Sequence, residues 1–190
     1  MITKSYLVYM RHLFISIFSI CSICFSQFEK DLQLELILAQ DGDTVLIEPG
    51  FFSMLGTISL DNKNNLTIKG SGMSNTIISF NKQISGTEGI IIKNCQNIVF
   101  QDFSIQGYKQ DAIVFDKVNG IELRELRIML NQKKVEKKDQ NSLSLKHCTN
   151  FIIQDCLFNS AINCGLLISE SINGVVRFSE FMEDSIGVKI

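Results

Sequence analysis

Three acidic residues recur at one place in a repeating pattern: Asp102, Glu125 and Asp155. Apolar residues alternate on both sides of each. Ile98 and Phe100 precede Asp102, and Phe103 and Ile105 follow it; Phe151 and Ile153 precede Asp155, and Cys156 and Phe158 follow it. The alternation shifts phase by one at the acid, as it must where a strand turns a corner with its apolar side inward. Stacked repeats would bring the three carboxylates about 5 Å apart along that corner. Such a ladder could hold Ca²⁺ or a cationic ligand, and Arg124 and Arg127 lie beside it in sequence. The competing reading is that these are ordinary turn residues whose repulsion is relieved by basic neighbours. No other cofactor and no metal site is expected, and the sequence assigns no catalytic residue.

The elements that must position these acids are repeats. Gly89–Ile105 and Ala112–Ile128 superimpose at an offset of 23 residues, with Ile90 on Ile113, Ile98 on Ile121, and Asp102 on Glu125. One position holds Asn65, Asn97, Gly120, Asn150 and Asn173, at successive offsets of 32, 23, 30 and 23. Asn and Gly alone at one position predict a turn residue with φ > 0, which Gly adopts freely and Asn tolerates. The preceding residues are Asn64, Gln96, Asn119, Thr149 and Ile172, so amides could hydrogen-bond from coil to coil. A single repeat of this kind cannot bury its own apolar face and must stack on its neighbours. Short strands joined by tight polar turns, with no helical spacer, predict an all-β parallel β-helix with three strands per coil. The offsets of 32 and 30 then mark loops that protrude from regular coils.

The 190 residues carry a formal charge of −2 and are 45% hydrophobic, which suits one folded domain. Lys and Arg do not cluster as a nucleic-acid surface requires, and the densest run, Lys133–Lys138, reads as a solvated loop. Residues 1–27 have the layout of a secretory signal peptide. Lys4, Arg11 and His12 precede the apolar run Leu13–Phe25, and Cys24 and Ser26 sit at the −3 and −1 positions. The run is short for a transmembrane anchor. A secreted, periplasmic or cell-envelope location follows. Beyond it remain Cys95, Cys148, Cys156 and Cys164. Cys95 and Cys148 share one repeat position two coils apart, about 10 Å and beyond disulfide reach, so small buried hydrophobes are expected. His147 beside Cys148 lacks zinc-site spacing.

Residues 28–41 form the predicted cap. A helix over Phe28–Gln40 would put Phe28, Leu32, Leu36 and Ile37 on one face, opposite Glu29, Lys30, Gln33 and Gln40. It would close the exposed strand edges at the start of the solenoid. Residues 42–190 carry the repeats. Thr44–Ile47 is the first strand and Pro49–Gly50 a turn; Thr57–Leu60, Leu66–Lys69 and Thr76–Phe80 form the next coil.

Gly42-Asp43-Thr44-Val45-Leu46-Ile47-Glu48-Pro49-Gly50-Phe51-Phe52, then Leu66-Thr67-Ile68-Lys69-Gly70-Ser71-Gly72 and Thr76-Ile77-Ile78, resemble the opening of right-handed parallel β-helix proteins of the pectin lyase-like superfamily. Within it the chain is similar to exported bacterial β-helix-repeat proteins, many without an assigned reaction. The resemblance covers residues 28–190. It implies a right-handed parallel β-helix with a short N-terminal capping helix, and it brings polysaccharide lyases, glycoside hydrolases, epimerases and carbohydrate-binding proteins into view. Lyases of acidic polysaccharides need a cation or its equivalent and a base; hydrolases need two carboxylates at a set separation. No family catalytic motif transfers residue by residue.

Two classes of function therefore stand: an exported scaffold presenting a face to glycan or protein, and a polysaccharide-active enzyme whose site is degenerate or lies beyond residue 190. The final Gly187-Val188-Lys189-Ile190 repeats Gly165-Leu166-Leu167-Ile168 and opens a coil without completing it. The expectation is a truncated product, with self-association through the uncapped coil as the consequence.

Overall fold

The computed structural model describes residues 27–130 and 140–190. The signal-peptide expectation, apart from Gln27, and the basic loop Lys133–Lys138 fall outside these residues. A helix, α1 (27–38), is followed by sixteen strands: β1 (Thr44–Leu46), β2 (Gly50–Ser53), β3 (Ile58–Asp61), β4 (Asn64–Lys69), β5 (Thr76–Ser79), β6 (Ile90–Lys93), β7 (Gln96–Gln106), β8 (Asp111–Asp116), β9 (Asn119–Met129), β10 (Asn141–Lys146), β11 (Thr149–Gln154), β12 (Leu157–Asn159), β13 (Cys164–Ser169), β14 (Ile172–Arg177), β15 (Glu180–Met182) and β16 (Ile186–Lys189). Every pairing between them is parallel and joins one coil to the next.

The strands build a parallel β-helix. One face runs β1-β4-β7-β9-β11-β14, and a second runs β3-β6-β8-β10-β13-β16. The third face joins β2 to β5, β5 to the second half of β7, that to the second half of β9, and then β12 and β15. β7 and β9 continue unbroken around a corner, which is why Asp102 and Glu125 fall inside strands rather than between them. The chain bends at Pro49 as expected, but Gly50 already belongs to β2. That strand pairs with β5 in the register Gly50↔Thr76, so the first coil begins at Thr44.

The repeat offset becomes the register. Ile58, Ile90, Ile113, Leu143, Leu166 and Val188 align from coil to coil along one inward row. Each inward side chain thus buries its apolar surface against the equivalent residue above and below, at about 25 cal/mol per Å². Rings interleave within the stack: Phe100 lies 5.7 Å from both Phe103 and Phe115. Ile98, Phe100, Phe103 and Ile105, like Phe151, Ile153, Cys156 and Phe158, are buried on the two sides of their acidic corners.

Turn residues repay the cost of left-handed backbone once per corner. Asn65, Asn97, Gly120, Asn150 and Asn173 all have positive φ, between 52° and 80°. Asn97 Nδ2 donates to Asn65 Oδ1 at 2.7 Å. Gly120 interrupts this ladder, because a Cβ there would collide with the Asn97 amide. The ladder resumes on Asn119, whose Oδ1 accepts from Asn150 Nδ2 at 2.7 Å and from Thr149 Oγ1 at 2.8 Å. A second corner position, not singled out from the sequence, is also left-handed: Asn62, Asn94, Lys117, His147 and Glu170.

α1 closes the first coil. Leu32, Leu36 and Ala39 are buried, and Phe28 stacks on Phe52 with ring centroids 3.8 Å apart. Ile37 does not join this face, contrary to expectation; it is 58% exposed, and Ala39 takes the place. The reason is hydrogen bonding at the coil edge. The Gln33 amide faces β3, donating to Ser59 O at 2.8 Å and accepting from Ser59 N at 2.9 Å. It pairs the outer edge of β3 as a neighbouring strand would. Lys63 Nζ donates to the carbonyls of Ile37 and Ala39 at 2.6 and 2.8 Å, closing the C-terminal end of the helix.

Candidate functional site

The three acids stand at one corner, in left-handed conformation, with φ of 65° at Asp102, 47° at Glu125 and 55° at Asp155. Their neighbours align across the coils, Gln101 with Arg124 and Phe103 with Leu126, so the corner is continuous. Phe178 holds the same position in the last coil, with φ 52°. Lys69 Nζ lies 3.7 Å from Asp102 Oδ2, and Gln154 Nε2 donates to Asp155 Oδ2 at 3.4 Å. Among the described residues no group of three or more His, Cys, Asp or Glu is placed to hold a metal ion. The backbone explains the acids in part: a short polar side chain tolerates the left-handed turn that keeps the apolar residues on both sides facing inward.

Next to this corner the register produces a row of donors. Lys69, Gln101, Arg124, Gln154 and Arg177 align on five successive coils of the β4-β7-β9-β11-β14 face. Lys69, Gln101, Arg124 and Gln154 point outward, since their strand neighbours Ile68, Phe100, Leu123 and Ile153 are buried, and Arg177 continues the row in register with Gln154. Arg124 Nε donates to Glu122 Oε1 at 2.6 Å, and Arg177 donates from Nε and Nη2 to Gln154 Oε1 at 3.1 and 2.6 Å. Two residues earlier on each strand lies a second outward row, Thr67, Val99, Glu122, Ile152 and Val175. The face therefore offers charge and amide donors beside a partly apolar strip. Reading single strands missed it, because Gln101 or Gln154 alone is an unremarkable surface residue; the signal was the constant offset of four residues from Asn65, Asn97, Gly120, Asn150 and Asn173.

A third arrangement lies at the corner where β8, β10 and β13 begin. Asp111 is buried with its carboxylate saturated: Oδ1 accepts from Asn141 N at 3.2 Å and Asn141 Nδ2 at 2.9 Å, and Oδ2 from Ser144 Oγ at 2.7 Å. Asn163 Nδ2 extends the chain to Asn141 Oδ1 at 2.9 Å. Tyr108 is buried with its hydroxyl 2.9 Å from Ser142 Oγ, and burial pushes its phenol up. Asp184 follows on the last coil. Its Oδ1 accepts from Ala161 N at 2.7 Å, its Oδ2 has no partner among the described residues, and burial pushes the carboxyl up. Asp111, Asn141 and Asn163 thus link three successive coils through side-chain hydrogen bonds. The sequence did carry a signal for it: Asp111 and Asn141 each stand two positions before the aligned inward residues Ile113 and Leu143 of their own strands.

Cys95, Cys148, Cys156 and Cys164 are buried thiols outside any disulfide. Burial pushes each of them up, Cys156 to about 11. Such thiols stay protonated and unreactive at neutral pH. His147 spans two coils on the surface, with Nδ1 3.2 Å from Asp116 Oδ1 and Nε2 3.2 Å from Glu170 Oε2.

No protein-family model matches the chain, and no curated protein does. Among solved structures the chain is similar to a crystal structure from Parabacteroides merdae ATCC 43184 described as a "putative glycosyl hydrolase". The TM-score is 0.51 at 14% identity, over 77% of this chain and 73% of that one. The fold is shared. At that identity the likeness is one of architecture alone.

Proposed function

We propose that this chain is an exported, non-catalytic β-helix scaffold that holds a linear glycan along its donor-lined face. The observation that carries the proposal is the row Lys69–Gln101–Arg124–Gln154–Arg177, aligned over five coils. Successive donors stand about 4.8 Å apart, close to the spacing of groups along an extended sugar chain. Cations and amides donate to hydroxyl and carboxylate oxygens, while Val99, Ile152 and Val175 give the C–H faces of the rings an apolar strip. Asp102, Glu125 and Asp155 then form the rim of the binding face as turn residues rather than an acid–base pair. The architecture shared with the structure described as a "putative glycosyl hydrolase" is compatible with carbohydrate as the ligand class.

Affinity electrophoresis through gels containing neutral or acidic polysaccharides tests the proposal. The protein should be retarded, more by polygalacturonate or alginate than by xylan. Replacing Lys69, Arg124 and Arg177 together with Ala should remove most of the retardation without lowering the melting temperature. Free migration in every gel would sink the proposal. Release of reducing ends or unsaturated sugars would instead establish the polysaccharide-active enzyme. For export, N-terminal sequencing of the secreted protein should find a start near Gln27 or Phe28; an intact Met1 or Met10 would overturn it.

A further inference from the structure

The outward surface of the β4-β7-β9-β11-β14 face changes character from one coil to the next. β7 and β11, two coils apart, present the same set of side chains. Val99 and Ile152 point outward, Gln101 and Gln154 follow, and Asp102 and Asp155 stand at the corner, both left-handed. Neither stretch contains a cation. The coils between and beside them carry the cations. Lys69 is followed by Gly70 and Arg177 by Phe178, so neither has an acid in the next position. In the middle coil Arg124 lies between Glu122 and Glu125, with Arg127 two residues beyond Glu125. Glu122 Oε1 accepts from Nε and Nη2 of Arg124, whose five N–H donors leave capacity for a ligand oxygen. Along the axis the order is cation, amide with acid, cation, amide with acid, cation. Like members of this series stand two coils, about 10 Å, apart. The surface is open: the Lys69 side chain is 44% exposed and that of Arg124 47%.

We infer, on the reading of this face as one that holds a glycan, that its ligand is a linear polymer of alternating acidic and neutral sugars, with a carboxylate on every second residue. One sugar over each coil places carboxylates beside Lys69, Arg124 and Arg177. Neutral sugars then lie over Val99, Gln101 and Asp102, and again over Ile152, Gln154 and Asp155. There the Gln amide donates and accepts, the Asp carboxylate accepts from sugar hydroxyls, and the aliphatic side chain meets the C–H face of the ring. A sugar carboxylate at either place would face Asp102 or Asp155 as a like charge. A polymer charged on every residue satisfies the cations but meets both acids. A neutral polymer leaves the cations without a counter-charge. The face therefore selects by the spacing of charge rather than by its density.

Affinity electrophoresis against three polymers decides the matter. Hyaluronate alternates a uronate with a neutral N-acetylhexosamine, polygalacturonate is charged on every residue, and carboxyl-reduced hyaluronate keeps the backbone without the charge. Hyaluronate should bind most tightly, by at least about fivefold per disaccharide over polygalacturonate. Non-specific attraction gives the reverse order, because polygalacturonate has the higher charge density. Gln101→Lys/Gln154→Lys puts a cation on every coil and should reverse the order in favour of polygalacturonate, at an unchanged melting temperature. Polygalacturonate binding the parent protein as tightly as hyaluronate overturns the inference and leaves the glycan-holding face in place. So does equal binding of hyaluronate and its carboxyl-reduced form, and so does a folded double variant that keeps the parent's order. Free migration with all three polymers removes the glycan-holding face itself, and the inference with it. The comparison of polymers on the parent protein stands without the variant, so a double variant that fails to fold leaves the test intact.

Discussion

Asn97 shows how one residue serves backbone and side chain together. Its φ of 52° demands a residue at ease in the left-handed region, and its Nδ2 donates to Asn65 across the coil boundary. Asn97→Gly keeps the first and loses the second, so it should be nearly neutral. Asn97→Val forces a branched side chain into left-handed backbone and should cost on the order of 1 kcal/mol or more. Equal melting temperatures for the two would contradict this. Asp184 makes a prediction of opposite sign to a paired carboxylate. Its folded-state pKa is raised, by burial, above that of the unfolded chain. The folded state therefore binds its proton more tightly, and ionisation weakens the fold above the ordinary carboxylate range. Asp184→Asn keeps the acceptor for Ala161 N and should raise the melting temperature at pH 7. The gain should shrink as pH falls through the raised pKa and vanish below the unfolded value. A gain that does not change with pH would mean that the charge is not the cause. The left-handed Asn position was legible in the sequence because the demand on φ restricts residue type. The second left-handed corner was not, because Lys117, His147 and Glu170 share no such restriction and are held there by the coils on either side.

At the scale of elements, α1 separates what pattern reading can and cannot see. Its position, length and capping role follow from Phe28, Leu32 and Leu36. The orientation of Ile37 does not, because a helix apolar on two sides has no unique buried stripe, and the hydrogen bonds of Gln33 to β3 choose between them. Leu36→Ala should cost about 2–5 kcal/mol through lost burial and a cavity, whereas Leu38→Ala should change stability by less than about 0.5 kcal/mol. Thermal melts of the pair test the assignment; similar losses would mean the faces are reversed. Gly174 is a comparable case among the strands. In sequence it looks like a weak inward position, yet the Phe151 ring occupies the space its side chain would need. Gly174→Ala should destabilise the last two coils by about 1–3 kcal/mol through overpacking, seen as lower hydrogen-exchange protection in β11 and β14. Unchanged protection would remove that role for glycine.

For the whole molecule, five aligned donors and three aligned acids come from the same repeat. The acids were legible because each interrupts an apolar alternation. The donors were equally within reach, since each lies four residues after the Asn or Gly position, but being outward polar residues they interrupt no pattern and draw no notice until the strands are paired. The ladder bonds that join one coil to the next run along the axis, and each coil touches only its neighbours. Pulled by its two ends, the chain should therefore not fail all at once. It should peel from an end, coil by coil, at modest force. Each regular coil of 23 residues should release roughly 80 Å of slack. The two coils carrying insertions, at offsets of 30 and 32, should release roughly 110 Å. The force–extension trace would then print the spacing of the repeats as a series of lengths, long steps among short ones, in the order in which the chain was wound.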